Sequence, residues 1–201
     1  MESLHHFFIS FWNAITPLEL TGFVFAILYS IFASYEKAWC WPAAIISSGI
    51  FTIICFQEKV HLQAVLQLFY VAMAFYGWYE WMYGKREEQS LHIISFPAKK
   101  IFLLILLGIP LSMIGGIIDK HYEASQPWLD SAITVYSLIA TWMMAKKIIQ
   151  NWLFWIVIDP LSIYLFAARG RLLIGLLFII YTVIAIFGYF KWRKQMQAAT
   201  S

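Results

Sequence analysis

The sequence predicts an all-α integral membrane protein with seven transmembrane helices in a 3+1+3 order, two parallel three-helix bundles joined by a linker helix. Three observations carry that prediction. Of 201 residues, 62% are hydrophobic and only 12% are charged, with a mean hydropathy of +0.72, where a soluble domain has about 25% charged residues. The apolar residues gather into seven long runs. The chain also repeats itself at an offset of 111 positions. The composition excludes a water-soluble enzyme or nucleic-acid binder, and a net charge of +3 with scattered basic residues gives a polyanion nothing to bind.

A bilayer core of about 30 Å takes roughly 20 helical residues to cross. The runs fall at 17–35, 39–56, 61–83, 97–118, 127–145, 149–168 and 172–190. Between them lie charge and turn residues: Glu36-Lys37, Glu58-Lys59, Lys85-Arg86-Glu87-Glu88, Asp119-Lys120, Lys146-Lys147 and Arg169-Gly170-Arg171. Continuous apolar runs do not suit barrel strands, which alternate over 9–11 residues. Residues 1–16 lack the basic region of a secretory signal, so the first span is expected to stay as an anchor, with an interfacial helix as one option for that segment. The chain divides into this segment, a first bundle at 17–84, the linker at 97–118, a second bundle at 127–193 and a tail at 194–201. Lys and Arg are 4 on the N-terminal face and 10 on the C-terminal face. The positive-inside rule then puts the N-terminus outside and the C-terminus in the cytoplasm. Cys40 and Cys55 sit on one helix about 22 Å apart, beyond disulfide reach.

The repeat aligns Trp41 with Trp152, Tyr70 with Tyr181, Gly77 with Gly188 and Trp81 with Trp192 without a gap. Three helices end on the face opposite their start, so a second parallel copy needs one extra crossing, and the run at 97–118 supplies it. Internal repeats of this kind are typical of transporters that hold substrate at the repeat interface.

Among the charged residues only Asp159 lies in mid-span, followed by Pro160. Its repeat-mate is Ser48, followed by Gly49. An ionisable group at that depth costs about 2.5–3.5 kcal/mol on insertion scales and marks a functional cavity by default. Pro160 and Gly49 weaken their helices at matching places and are read as hinges. Asn151, Trp155 and Asp159 fall at i, i+4 and i+8 on one helix face, with Trp152 beside them. Gln63, Gln67 and Tyr70 make a second stripe, and amides in hydrocarbon need partners, so both stripes are expected to face the interior. Trp faces attract a delocalised cation, and Asp159 can balance its charge. Trp39, Trp81, Trp128 and Trp192 read as core filler or interfacial belt, and Gly115-Gly116 as a helix end. There is no phosphate-binding loop for an ATPase, no His pair spaced for metal or haem and no catalytic triad at one depth, so no cofactor is expected.

The repeat, WCWP at 39–42, QLFY at 67–70, YGWYEW at 76–81 and NWLFWIVID at 151–159 resemble the nicotinamide riboside transporter family, PnuC, over nearly the whole chain. The resemblance implies a seven-helix architecture related to SWEET and SemiSWEET sugar carriers, a homotrimer in the bacterial inner membrane, and facilitated diffusion followed by trapping through cytoplasmic phosphorylation. It implies substrate contact from Asn151, Trp152 and Trp155 and from Gln67 and Tyr70. Lys37 and Ala44 depart from the family pattern, where Asn and Gly are common, and bear on substrate identity. Nicotinamide riboside is the preferred substrate and thiamine, also a cation, the alternative. Riboflavin is neutral and leaves Asp159 unexplained; a sugar carrier is more remote.

Overall fold

A computed structural model describes residues 16–57, 61–86, 89–122, 125–170 and 172–198, so residues 1–15, for which an interfacial helix was one option, lie outside the described residues. Seven helices follow the seven apolar runs: α1 (Pro17–Ser34), α2 (Cys40–Gln57), α3 (His61–Tyr83), α4 (Ala98–His121), α5 (Pro127–Ala145), α6 (Asn151–Ala168) and α7 (Leu172–Ala198). The architecture is all-α as expected, with one small addition. In the charged segment after α3, β1 (Lys85–Arg86) and β2 (Gln89–Ser90) form a two-residue antiparallel ladder. α7 also runs eight residues past its apolar stretch, carrying Lys191, Arg193 and Lys194. Two contacts hold this extension: the Lys191 ammonium lies 3.2 Å from the centre of the Tyr35 ring, and Trp192 is fully buried.

Local signals set the helix starts. Pro17 occupies the first turn of α1, and Thr16 and Glu19 form a reciprocal capping box. Five helices (α1, α2, α4, α6 and α7) are long and apolar enough to cross a membrane. α3 and α5 fall short because they carry Gln63 and Gln67, and Asp130, Ser131, Thr134, Ser137 and Thr141, respectively.

Six helices close into a ring. α1 packs on α2 and α2 on α3; α5 packs on α6 and α6 on α7; α3 meets α5 and α7 meets α1. A shift of 111 residues turns the first set into the second and exchanges the two junctions. α4 packs on α5, outside the ring. Gly115 and Gly116 are not a helix end: they lie inside α4 and, with Gly108, bring it against Ser131, Trp128 and Tyr136 of α5. A Cβ at any of the three would overlap those side chains.

The repeat extends to individual bonds. Glu36 and Lys147, 111 positions apart, are the two described non-glycine residues with positive φ, 56° and 51°. Each turn closes alike, Lys37 N–H donating to the Phe32 carbonyl and Ile148 N–H to the Met143 carbonyl, both at 2.9 Å. A left-handed conformation costs a non-glycine residue about 1–3 kcal/mol; here the two side chains are drawn into an ion pair with each other at 2.5 Å. Beside them Trp41 stands edge-on to Trp81, and Trp152 edge-on to Trp192, each at 5.5 Å and 89°. Trp81 and Trp192 meet at 6.1 Å. The Trp81 indole donates to the Ala145 carbonyl at 3.1 Å, and that of Trp192 to the Ala33 carbonyl at 3.1 Å. Trp81 and Trp192 are therefore specific locks between the two sets, not filler or belt. Trp39 and Trp128, 72% and 51% exposed, fit the belt reading.

The segment after β2 straps this end. Ile94 N–H donates to the Lys147 carbonyl at 3.0 Å, and Ile149 N–H to the Ile94 carbonyl at 2.9 Å. The Gln150 amide bonds Ser95 Oγ and both backbone groups of Phe96.

Gly77 and Gly188 seat the Trp41 and Trp152 rings; a Cβ at Gly188 would come within 2.8 Å of the Trp152 ring, and one at Gly77 closer still to Trp41. Alanine is worth about 1 kcal/mol over glycine in a helix, but overpacking costs about 1–3 kcal/mol. Gly77→Ala and Gly188→Ala are expected to lower the melting temperature in detergent, Gly77→Ala the more. Gly49→Ala, which meets open space, is expected to raise it. Equal shifts at all three sites would contradict the packing described.

Candidate functional site

The ring encloses a cavity of about 860 Å³, lined by α1, α2, α3, α5, α6 and α7 and by no residue of α4. That is the range of small-molecule sites. It reaches from Trp41 and Trp152 at the tryptophan-locked end to Glu19, Asp130 and Gly170 at the opposite end. Among the described hydrogen bonds, those that tie one set to the other cluster at the tryptophan end. At the opposite end Arg169 pairs with Asp130 at 2.6 Å and reaches Ser125 at 3.3 Å, all within the second set.

The structure brings most of the expected residues together. Trp152, Trp155 and Asp159 of α6 and Gln63, Gln67 and Tyr70 of α3 all line the cavity, as does Ser48, the mate of Asp159. Asp159 is 1% exposed, and its Oδ1 has no protein partner. That costs free energy in an apolar interior, and no ion pair involving Asp159 occurs among the described residues. Trp155 sits four residues earlier, on the same face.

Asn151 departs from the expectation. It is fully buried but does not line the cavity. It stands in the first turn of α6, where helix N–H groups lack partners, and its Nδ2 donates to the Ile148 carbonyl at 2.7 Å. The spacing that aligns it with Trp155 is correct; the helix start turns its amide to the preceding loop instead. Pro160 and Gly49 also lie off the wall. Both α2 and α6 run through these positions unbroken, Pro160 on the exposed side.

Residues that sequence reading missed fall into two groups. Tyr181 lines the cavity opposite Tyr70, and the 111-residue offset pairs the two. Tyr29, Thr134, Ser137 and Thr141 also line it. Isolated hydroxyls in apolar runs carry no signal of their own, and only the packing turns them inward.

Helices of membrane-spanning length set in a ring around a cavity of ligand size are the architecture of a multi-pass membrane transporter. Residues 16–194 match the family described as nicotinamide mononucleotide transporter, and the chain belongs to that family. It is similar to the nicotinamide riboside transporter PnuC of Escherichia coli (strain K12), with 27% identity over 87% of this chain and 84% of that protein. It is also similar to the riboflavin/roseoflavin transporter RibM of Streptomyces davaonensis, with 22% identity over 92% of this chain and 88% of that protein. The crystal structure of the vitamin B3 transporter PnuC shares the fold, with a TM-score of 0.77 at 21% identity over 94% of this chain and 86% of that one.

Proposed function

We propose that this chain takes up nicotinamide riboside across a bacterial inner membrane by facilitated diffusion, with trapping by phosphorylation in the cytoplasm. The observation that carries the proposal is Asp159, a buried carboxylate with an unpartnered oxygen in a cavity that Trp155 also lines. Intramembrane carboxylates are expensive and mark function, and a cationic ring between an indole face and a carboxylate matches both groups. The riboside transporter from Escherichia coli supports the choice of cation. Riboflavin is the second reading, favoured by RibM; its neutral ring leaves Asp159 unmatched. Thiamine shares the cationic logic, and none of the relatives named above is described as carrying it.

In this reading all seven helices span the bilayer as 3+1+3, α1–α3 and α5–α7 as parallel bundles and α4 as the linker. The closed ring and the exchange of junctions under the 111-residue shift support that order. The distribution of basic residues supports an N-terminus outside and a tryptophan end in the cytoplasm. Substrate enters from the outer end and meets Trp155, Trp152, Gln63, Gln67, Tyr70 and Asp159. Bending near Pro160 and Gly49 with release of the tryptophan end opens the inner side. The homotrimer rests on the family resemblance.

Uptake of labelled riboside into proteoliposomes without an ion gradient tests the proposal. Trp155→Ala is expected to weaken riboside binding about tenfold through lost ring contact, with a corresponding rise in the half-saturating concentration for uptake. Unchanged binding and uptake in Trp155→Ala would remove this residue from the site.

A further inference from the structure

The cavity is two-fold in shape and one-sided in chemistry. Most of its lining residues fall into pairs 111 positions apart, one from each set. Where the members of a pair differ in polarity, the polar member lies on α3, α5 or α6: Gln67 against Phe178, Thr134 against Phe23, Ser137 against Ala26, Ser162 against Phe51 and Asp159 against Ser48. These three helices are consecutive in the ring, and α7, α1 and α2 form the facing arc. Tyr29 and Ser47 run against the trend, although the Ser47 hydroxyl is committed to the Gly22 carbonyl at 3.0 Å. Gln67, Thr134 and Asp159 also share a layer, each roughly 9–14 Å from the helix end remote from the tryptophans at 1.5 Å per residue.

Thr134, like Ser48 across the cavity, is set apart from most of the helix hydroxyls. Those of Thr21, Ser30, Thr52, Thr141, Ser162 and Thr182 each donate to the carbonyl four residues back, the usual local partner for such groups. Thr134 makes no such bond among the described residues, yet it lines the cavity. Ser137, one turn on, lines the cavity as well, as does Tyr70 of α3. Asp130, Thr134, Ser137 and Thr141 follow at i, i+4, i+7 and i+11, one polar stripe along the cavity wall. In the same layer Asp159 leaves its buried Oδ1 without a protein partner, so two polar groups at one depth await a ligand.

We infer that α5 is the hydroxyl-reading wall of the site: Thr134 binds a hydroxyl of the substrate's polyol arm, while Phe23, Phe51 and Phe178 on the facing arc take the apolar face of its ring. The unequal walls select one of the two orientations that the two-fold shape would otherwise allow. The inference deepens the carrier reading above and rests on it, but it holds for any vitamin that joins a flat ring to a hydroxylated arm.

Paired probes test it by equilibrium binding to the purified protein. Nicotinamide riboside is compared with 1-methylnicotinamide, which keeps the cationic ring and lacks the arm; riboflavin is compared with lumiflavin in the same way. Thr134→Val keeps the shape and removes the hydroxyl, and Thr134→Ser restores it. Thr134→Val is expected to weaken the bound hydroxylated probe about fivefold to tenfold, the worth of one hydrogen bond, with recovery in Thr134→Ser and no change for the armless partner. No loss for the hydroxylated probe, or equal loss for both members of a pair, overturns the inference and leaves the carrier reading standing. A wild-type protein that binds neither riboside nor riboflavin overturns both.

Discussion

Replacing Asp159 by Asn is expected to weaken nicotinamide riboside binding by at least roughly thirtyfold, because truncating one member of a buried charge pair costs about 2 kcal/mol or more. The substitution keeps the size and one carbonyl oxygen, removes the charge and turns the second oxygen into an NH2 donor. A neutral ligand such as riboflavin should lose little, so the ratio of the two affinities isolates the charge. Stability discriminates further. Oδ1 of Asp159 has no protein partner and the residue is 1% exposed, so the charged carboxylate costs the ligand-free protein desolvation energy. Asp159→Asn is therefore expected to hold or raise the melting temperature while binding falls. A carboxylate kept for structure would give the opposite pattern, a lower melting temperature with affinity intact.

The second large effect concerns the tryptophan end. Lys147 is held by Glu36 at 2.5 Å and by the Leu91 carbonyl at 3.0 Å, and lies 4.9 Å from the centre of the Trp81 ring. Its side chain is 9% exposed and that of Glu36 24%, so the pair is screened less than a surface bridge. Lys147→Met leaves Glu36 without its partner and is expected to cost about 2–3 kcal/mol, less than a fully buried pair because Glu36 retains some water. The pseudo-symmetry supplies an unusual control. Glu36 and Lys147 are repeat-mates with the same left-handed backbone, so Glu36→Lys combined with Lys147→Glu exchanges two equivalent positions. Thermal unfolding should show the exchange recovering most of the loss. Recovery is expected to fall short, because a lysine at 36 does not stand beside the Leu91 carbonyl. An exchange no better than the single variant would show that the pair matters only through its local environment. Lys146 and Glu80, paired at 2.8 Å, join the same two sets and should yield a smaller effect, since Lys146 is 31% exposed.

The fold was legible because its signals are additive. Apolar runs place six of the seven helices to within a few residues and the start of α7 as well, and the gapless alignment of Trp41, Tyr70, Gly77 and Trp81 with their mates anticipates the bonds that relate the two sets. α3 and α5 are the weak cases, and for a shared reason: Gln63 and Gln67 of the one and Asp130, Thr134, Ser137 and Thr141 of the other lower the hydropathy and line the cavity. The strap at 91–96 was not legible, since its bonds to Lys147, Ile149 and Gln150 join segments more than fifty residues apart and leave no periodicity. Of the cavity wall, Asp159, Trp155, Gln63, Gln67 and Tyr70 were readable from depth and helical spacing. Asn151 shows where that method fails: spacing defines a face, but a residue in the first turn answers to the preceding loop as well. Tyr181 was available from the repeat by carrying Tyr70 forward. Thr134 and Ser137 were not, because a hydroxyl in an apolar run can bond back to its own helix, and only the three-dimensional packing shows which hydroxyls do.

The most direct test of the central claim, that the cavity lined by Asp159 and Trp155 holds a vitamin cation, is calorimetric titration of the purified wild-type protein in detergent with nicotinamide riboside, thiamine and riboflavin. Selective binding of the riboside is the result this account expects. Binding of thiamine alone would keep the cation site and change its substrate. Selective binding of riboflavin, or of none of the three, would contradict the assignment of Asp159 as the counter-charge of a transported cation.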